Sequence, residues 1–208
     1  MTPGQVHSLL RLETAALAVG RGDMPLAQAI DLSVPAGTGL LLRGPNGAGK
    51  STLLLTLAGL LPPLSGSVVL QGHNEEEGPA FHHCGHRNAV RPRLTARETL
   101  GFWRTLNGNP AVPVDAALER VGLVRQARLD AAYLSAGQQR RLVLARLLVS
   151  ARPVWLLDEP SSALDAEGQV LLGELVREHL GQGGMAVIAS HDPIAVPGLP
   201  VLTLGAAR

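Results

Sequence analysis

Cysteine, lysine and aromatic side chains are all scarce in this chain of 208 residues. Its one cysteine, Cys84, excludes an intramolecular disulfide. Lysine occurs once, at Lys50; the other 17 of the 18 basic residues are arginine. Phe, Trp and Tyr make up 2% of the chain, so a core has to be assembled from Leu, Val, Ala and Ile. Net charge is nearly absent too. A formal +1 argues against a generic nucleic-acid binder, whose affinity comes from neutralising phosphates. No stretch of about 18 apolar residues runs free of charge or proline, so no bilayer-spanning helix is expected. The longest candidate, Leu53 to Leu64, is interrupted by Gly59, Pro62 and Pro63. Near the N-terminus no basic segment leads into an apolar run and a small-residue cleavage site. A signal peptide is therefore not expected, and the chain reads as cytosolic.

What is present is apolar. At 46% apolar and 17% charged residues the composition argues against a disordered chain. It fits a parallel sheet buried on both faces, or a sticky surface for a partner. The length suits one domain, or a domain with a small appended subdomain, and neither an internal repeat nor a long linker interrupts it. Leu9 to Ala18 alternates poorly and predicts one or two edge strands; Ala29 to Val34 predicts another short strand. Leu40-Leu41-Leu42 is an apolar run too short for a helix, and it leads into a glycine-rich segment. From Lys50 to Gly59 leucines recur at helical spacing. Strands are predicted at Val68 to Leu70, Ala80 to Cys84, Val154 to Leu157, Met185 to Ala189 and Val201 to Leu204. Helices are predicted at Thr95 to Leu106, Asp115 to Val121, Ala136 to Ser150 and Glu167 to Leu180. Thr95 followed by Glu98 is a capping box, and Asn107-Gly108-Asn109-Pro110 breaks that helix. Asn74 to Pro79, with three glutamates, is a solvated surface turn. Strands alternating with helices predict a mostly parallel α/β sheet.

The glycine-rich segment Gly44-Pro45-Asn46-Gly47-Ala48-Gly49-Lys50-Ser51 fits G-x-x-x-x-G-K-S/T, the P-loop, between a predicted strand and a predicted helix. Glycines let the backbone curl so that successive N–H groups point at an anion, and the helix that follows adds its positive end. Lys50 brings a full charge to the β- and γ-phosphates of a nucleotide, and the Ser51 hydroxyl is a ligand for Mg²⁺. Downstream, Val154-Trp155-Leu156-Leu157 delivers two adjacent acids, Asp158 and Glu159, to the rim of the sheet, beside the P-loop if the two strands are neighbours. Asp158 is placed to hold Mg²⁺ and Glu159 to orient an attacking water. Between these motifs, Leu134-Ser135-Ala136-Gly137-Gln138-Gln139-Arg140-Arg141 opens a helix with Ser135 as N-cap.

That last segment resembles the LSGGQ-type signature of ABC-transporter ATPases, with Ala136 where serine or glycine is usual. The resemblance covers nearly the whole chain, with the motifs in the family's order: P-loop, a linking loop near residues 86 to 95, signature, Asp158-Glu159, then Ser162-Ala163-Leu164-Asp165 matching the D-loop and His191 matching the switch histidine. It implies a P-loop ABC ATPase fold across residues 1–208. A mostly parallel α/β core would carry a small antiparallel β subdomain from the N-terminal strands and a helical subdomain near residues 87–150. It further implies hydrolysis of ATP with Mg²⁺, with Lys50, Glu159 and His191 as catalytic residues. Gly44 to Thr52 would hold the nucleotide. Ser135, Gly137, Gln138 and Asp165 would complete the nucleotide site of a second ATPase subunit, a homodimer being the simplest form. Transporting subunits would be separate integral membrane chains, and this chain would sit at the cytoplasmic face of the inner membrane through them, with no nucleic-acid partner.

Two further positions depart from the family's pattern. Where an aromatic residue usually stacks on adenine, Arg21 or a close neighbour stands; a guanidinium can also stack on a base. Where the linking loop usually opens with glutamine, counting back from Leu94-Thr95 places His86, whose imidazole can meet a Mg²⁺-bound water or ligate weakly. The Gly85-His86-Arg87 loop, the signature as written and the short length resemble one subfamily, the heme-exporter ATP-binding subunits of cytochrome c maturation. The subfamily implies ATP turnover coupled to heme delivery or to release of a heme-loaded chaperone; the alternative is the ATPase subunit of an unrelated ABC exporter or importer. A soluble ABC protein acting on ribosomes or DNA usually needs tandem domains or long inserted arms, for which 208 residues leave no room. His82, His83, Cys84 and His86 also form a dense run of metal- or heme-ligating types, but strand alternation puts His82 and Cys84 on one face and His83 on the other, which spoils a compact cage.

Overall fold

The computed structural model describes residues 10–205 apart from 75, 77, 89 and 108–111. Leu9, two glutamates of the expected acidic turn (Glu75 and Glu77) and Gly108, Asn109 and Pro110 of the expected helix break lie outside the described residues.

Two sheets form the body. The first contains β1 (Arg11–Arg21), β2 (Met24–Pro35) and β4 (Ser65–Gln71) in the order β2-β1-β4, all antiparallel. The expectation of an edge strand at Leu9 to Ala18 is corrected here: β1 is the central strand, and β2 is longer than the short strand read from Ala29 to Val34. The poor alternation has a physical cause. Register shifts interrupt the pairing between Thr14 and Leu17, next to Ala16 at φ 47°, so the side-chain pattern slips part-way along the strand.

The second sheet has the order β5-β6-β7-β3-β8, with every pair parallel. Its strands are β3 (Gly39–Arg43), β5 (Phe81–Cys84), β6 (Val154–Asp158), β7 (Met185–Ala189) and β8 (Val201–Thr203). All five residues of β6 and of β7 are buried, which explains why these segments are continuous apolar runs and do not alternate. Alternate residues feed two cores. Leu40, Leu42, Leu156 and Val187 pack with α1 (Lys50–Leu57) and the antiparallel sheet. Leu41, Leu157 and Ile188 pack with α4 (Ala136–Val149) and α5 (Ala166–Gly181). Helices α2 (Ala96–Asn107) and α3 (Val114–Arg120) join that second core and make a helical subdomain with α4. Its entrance is stitched by backbone: the N–H groups of Ala96 and Arg97 donate to the carbonyls of Leu129 and Ala127, and that of Ala131 donates to Leu94. The capping box holds, since Thr95 N and Oγ1 donate to Glu98 Oε2 and the Glu98 N–H donates to Thr95 Oγ1.

Because all five strands of the second sheet are parallel, their C-terminal ends share one rim. The acids of β6 are not on a strand next to β3, however; β7 lies between them. The P-loop after β3 and the Asp158-Glu159 pair therefore face each other across the loop that leaves β7, and that loop carries His191.

Candidate functional site

The rim opens into a cleft of about 610 Å³. Its floor is the P-loop, represented by Asn46, Gly47, Gly49, Lys50, Ser51 and Thr52; one wall carries Asp158, Glu159 and Ser162, and another His191 and Asp192. Gly44, Pro45 and Ala48 complete the loop behind this surface. The loop depends on its glycines at two positions. Gly44 has φ 136°, and a Cβ there would lie 2.3 Å from the Leu204 carbonyl oxygen. Gly49, at φ 95°, is the N-cap of α1 with no side-chain cap, so the first-turn N–H groups of α1 are left for a ligand. An uncapped, positive helix end in a polar cleft is suited to phosphate.

Lys50, 7% exposed, donates from Nζ to the carbonyl oxygens of Gly44 at 2.7 Å and Pro45 at 3.1 Å, which arches the ammonium back over the loop. His191 Nε2 lies 3.2 Å from that Nζ and 2.9 Å from Asn46 Oδ1. The same ring is 3.6 Å from Glu159 Oε1, while the His191 backbone N–H donates to Glu159 Oε2 at 3.1 Å. Lysine, histidine and glutamate thus form one continuous polar chain across the ends of β3, β7 and β6. Glu159 is held in the left-handed region at φ 47°, a strained conformation for a side chain of its size. Its N–H donates to the Ala189 carbonyl at 2.8 Å.

Ser51 and Asp158 both line the cleft and present oxygen donors, the set that suits a hard divalent cation such as Mg²⁺. His86 lies on the same wall and offers an imidazole, a softer partner for that ion. At the open side stand Arg21, at the end of β1, and Leu26, from β2. They add a planar cation and an apolar side chain to the lining.

The signature residues are elsewhere. Ser135, Gly137 and Gln138 start α4 and do not line the cleft. Ser135 Oγ accepts from the Gln138 N–H at 3.2 Å, and Gln138 Oε1 accepts from the Ser135 N–H at 3.0 Å, a full capping box. A Cβ on Gly137 would sit 3.0 Å from the carbonyl of Ala163, itself at φ 65°. Asp165 also lies off the cleft. It caps α5 by accepting from the Gly168 N–H at 2.9 Å, and it accepts from Arg141 Nη2 at 2.9 Å. The Gly168 N–H, and after it the Arg141 guanidinium, hold its carboxyl below the ordinary aspartate range.

The histidine–cysteine run makes no metal cage: among the described residues no group of three or more His, Cys, Asp or Glu side chains is placed to hold an ion. His82 is buried, its Nε2 2.6 Å from Ser150 Oγ, and burial followed by the nearby Arg152 pushes its pKa down to about 3. Cys84 is buried, and burial raises its thiol pKa, which leaves it a poor nucleophile.

Three parts of the rim escape the sequence reading. Arg43, the last residue of β3, donates to the carbonyls of Ser190 and Asp192 and so holds the His191 loop from the P-loop strand. Asp192 Oδ2 accepts from Ser161 Oγ at 3.0 Å, which ties the same loop to the turn after Glu159. Arg140, 1% exposed, donates to the carbonyls of Asp158, Glu159, Pro160 and Gly85 and to Asn88 Oδ1. Burial draws its pKa below the usual arginine value, opposed first by Cys84 and then by Asp158 and Glu159. Arg43 and Asp192 sit beside recognised motifs, a signal that was there to use. Nothing local separates Arg140 from Arg141 beside it.

The geometry has counterparts among known proteins. A family model described as "ABC transporter" matches residues 27–162. The Cytochrome c biogenesis ATP-binding export protein CcmA of Rhodopseudomonas palustris (strain BisB5) is 46% identical over 179 residues, spanning 85% of this chain and 89% of the relative. The protein of the same name from Chelativorans sp. (strain BNC1) is 44% identical over 200 residues, spanning 95% of this chain and 99% of the relative. Among solved structures, an ABC transporter ATP-binding protein from Pyrococcus furiosus superposes with a TM-score of 0.79 at 26% identity, over 93% of this chain and 97% of that one.

Proposed function

The chain belongs to the ABC transporter family, and from that premise we propose that it is the ATP-hydrolysing subunit of a membrane export complex serving cytochrome c biogenesis. The observation that carries the chemistry is the convergence of Lys50, Ser51, Asp158, Glu159 and His191 on one cleft. The relatives' names carry the cytochrome c role.

In this reading the P-loop from Gly44 to Thr52 wraps the phosphates. Lys50 leaves the Gly44 and Pro45 carbonyls for the β- and γ-oxygens and there offsets the charge that develops as the terminal bond breaks. Glu159 accepts a hydrogen bond from the attacking water and aligns it with the γ-phosphorus. His191, already between Lys50 and Glu159, holds the γ-phosphate and the water in one geometry. Ser51 and Asp158 would hold Mg²⁺, which would supply neutralisation of the phosphate charge. Arg21 stacks on the base.

Ser135, Gly137, Gln138 and Asp165 do not line the chain's own cleft, which supports their acting on nucleotide held by a second copy, in a head-to-tail dimer. No helix among the described residues is long and apolar enough to cross a membrane. In the proposed complex, separate membrane subunits bring the chain to the cytoplasmic face, where turnover drives heme delivery or release of a heme-loaded chaperone, a reading supported by the relatives' names.

The test is Glu159→Gln. It is expected to retain ATP, accumulate as a dimer on size exclusion with ATP, and lose about 10²- to 10³-fold in steady-state hydrolysis. Undiminished turnover refutes the site. The biological role is tested separately. A strain lacking the gene is expected to lose heme-stained c-type cytochromes, regained with the wild-type gene and not with Glu159→Gln.

A further inference from the structure

We infer that Arg140 is a positioning residue for hydrolysis: its buried guanidinium holds Glu159 in its strained backbone conformation and ties that conformation to the linking loop and to the signature helix of the same subunit. The inference rests on the water-orienting role proposed for Glu159.

Arg140 lies on the first turns of α4, in the helical subdomain, yet its side chain ends under the sheet rim. From Nε it donates to Pro160 O at 3.0 Å and from Nη2 to Asp158 O at 2.9 Å and to Glu159 O. Nη1 donates to Gly85 O at 3.0 Å and Asn88 Oδ1 at 3.2 Å in the linking loop. A planar fork with five fixed donors can meet three successive carbonyls on one side and a loop on the other; a point ammonium cannot. The three carbonyls bracket Glu159, whose φ of 47° opposes its own preference. Without the fork, the peptide following Glu159 has no partner from α4 and relaxes toward negative φ, which swings the carboxylate off the line of attack. The fork joins α4 to both the Asp158–Pro160 turn and the linking loop, so a rotation of α4 moves that turn with it.

Arg140→Lys is the main variant, because it keeps the buried charge and loses the fork; Arg140→Gln is the stronger one. Hydrolysis is expected to fall about 10- to 100-fold in kcat with KM for ATP within about twofold of wild type, since the phosphates are held by a loop Arg140 does not touch. Hydrogen exchange is expected to rise in the peptide spanning residues 158–163 and to stay at wild-type levels in β1 and β2. Arg140→Lys with wild-type kcat overturns the inference. So does a parallel rise in exchange across the molecule, which marks a purely structural residue. If Arg140→Gln does not fold, Arg140→Lys alone decides. Failure here is distinct from failure of the functional reading: in that case Glu159→Gln itself still turns over.

Discussion

Strands β6 and β7 bury all of their residues, whereas the stretch of sequence that contains α2, α3 and α4, residues 87–150, carries 11 arginines against four acidic residues. The sheet is held by interdigitated Leu, Val, Ile and Ala, packing that tolerates little displacement. In the subdomain much of the work falls to arginine. Arg146 lies 3.9 Å over the Trp103 ring and Arg91 4.5 Å over Phe102. Arg120 reaches Glu174 and Glu178 on α5, Arg141 reaches Asp165, and Arg140 reaches the rim. Apolar packing and a buried guanidinium such as that of Arg140 fix atoms in place; exposed ion pairs such as those of Arg120 can break and re-form at low cost. Lys50, Asp158, Glu159 and His191 stand at the rim of the packed sheet, and Ser135 to Arg141 stand where α4, which shares the apolar core, adds the buried Arg140 fork and more exposed ion pairs.

That contrast can be broken at its stiffest point first. Lys50→Arg keeps the charge, but a planar guanidinium does not fit where a compact ammonium sits under two carbonyls. Hydrolysis is expected to drop about 10²- to 10³-fold; a phosphate-release assay with near-normal rates shows a rim more plastic than the packing indicates. Leu157→Ala, at a fully buried position of β6, is expected to cost about 2–5 kcal/mol in chemical denaturation, with the larger value if the sheet cannot close over the cavity.

The seam between the sheet and α4 is sharpened by pH. His82, on β5, meets Ser150 at the end of α4 and is neutral in the native protein, its pKa pushed down to about 3 by burial. The unfolded chain takes up that proton near pH 6.5. Stability from this site is therefore complete above that pH and is lost as pH falls, by about 2 kcal/mol between pH 7 and pH 5. Melting curves of His82→Gln at the two pH values are expected to lie closer together than those of the wild type. The smallest effect belongs to the exchangeable contacts. Arg120→Ala removes two partly exposed ion pairs and is expected to cost under about 1 kcal/mol, less in high salt. A loss equal to that of Leu157→Ala abolishes the distinction.

The order of strands and helices around the P-loop was legible because each signal is local: Leu40-Leu41-Leu42, the glycines and the leucines after Lys50 lie within 20 residues. Lys50, Ser51, Asp158 and Glu159 were legible for the same reason, and the structure brings them to one cleft, with Arg21 and His86 on its walls. Strand order was not. That β7 separates β3 from β6, and that β1 is central, follows from pairings between distant residues. Alternation in β1 was masked by the irregularity at Ala16. Arg140 was hidden for a different reason: which of two adjacent arginines points inward depends on the rotation of α4 against the sheet.

Lys50 also gives the protein a chemical handle. It is the chain's only side-chain amine, and it lies in the nucleotide cleft. An amine-selective acylating reagent therefore acts as a one-site footprint: apart from a chain terminus, a stable label can form only on the P-loop. Its yield by mass spectrometry would follow occupancy of the cleft in unmodified protein, even inside a larger membrane complex, without a mutation or an introduced probe.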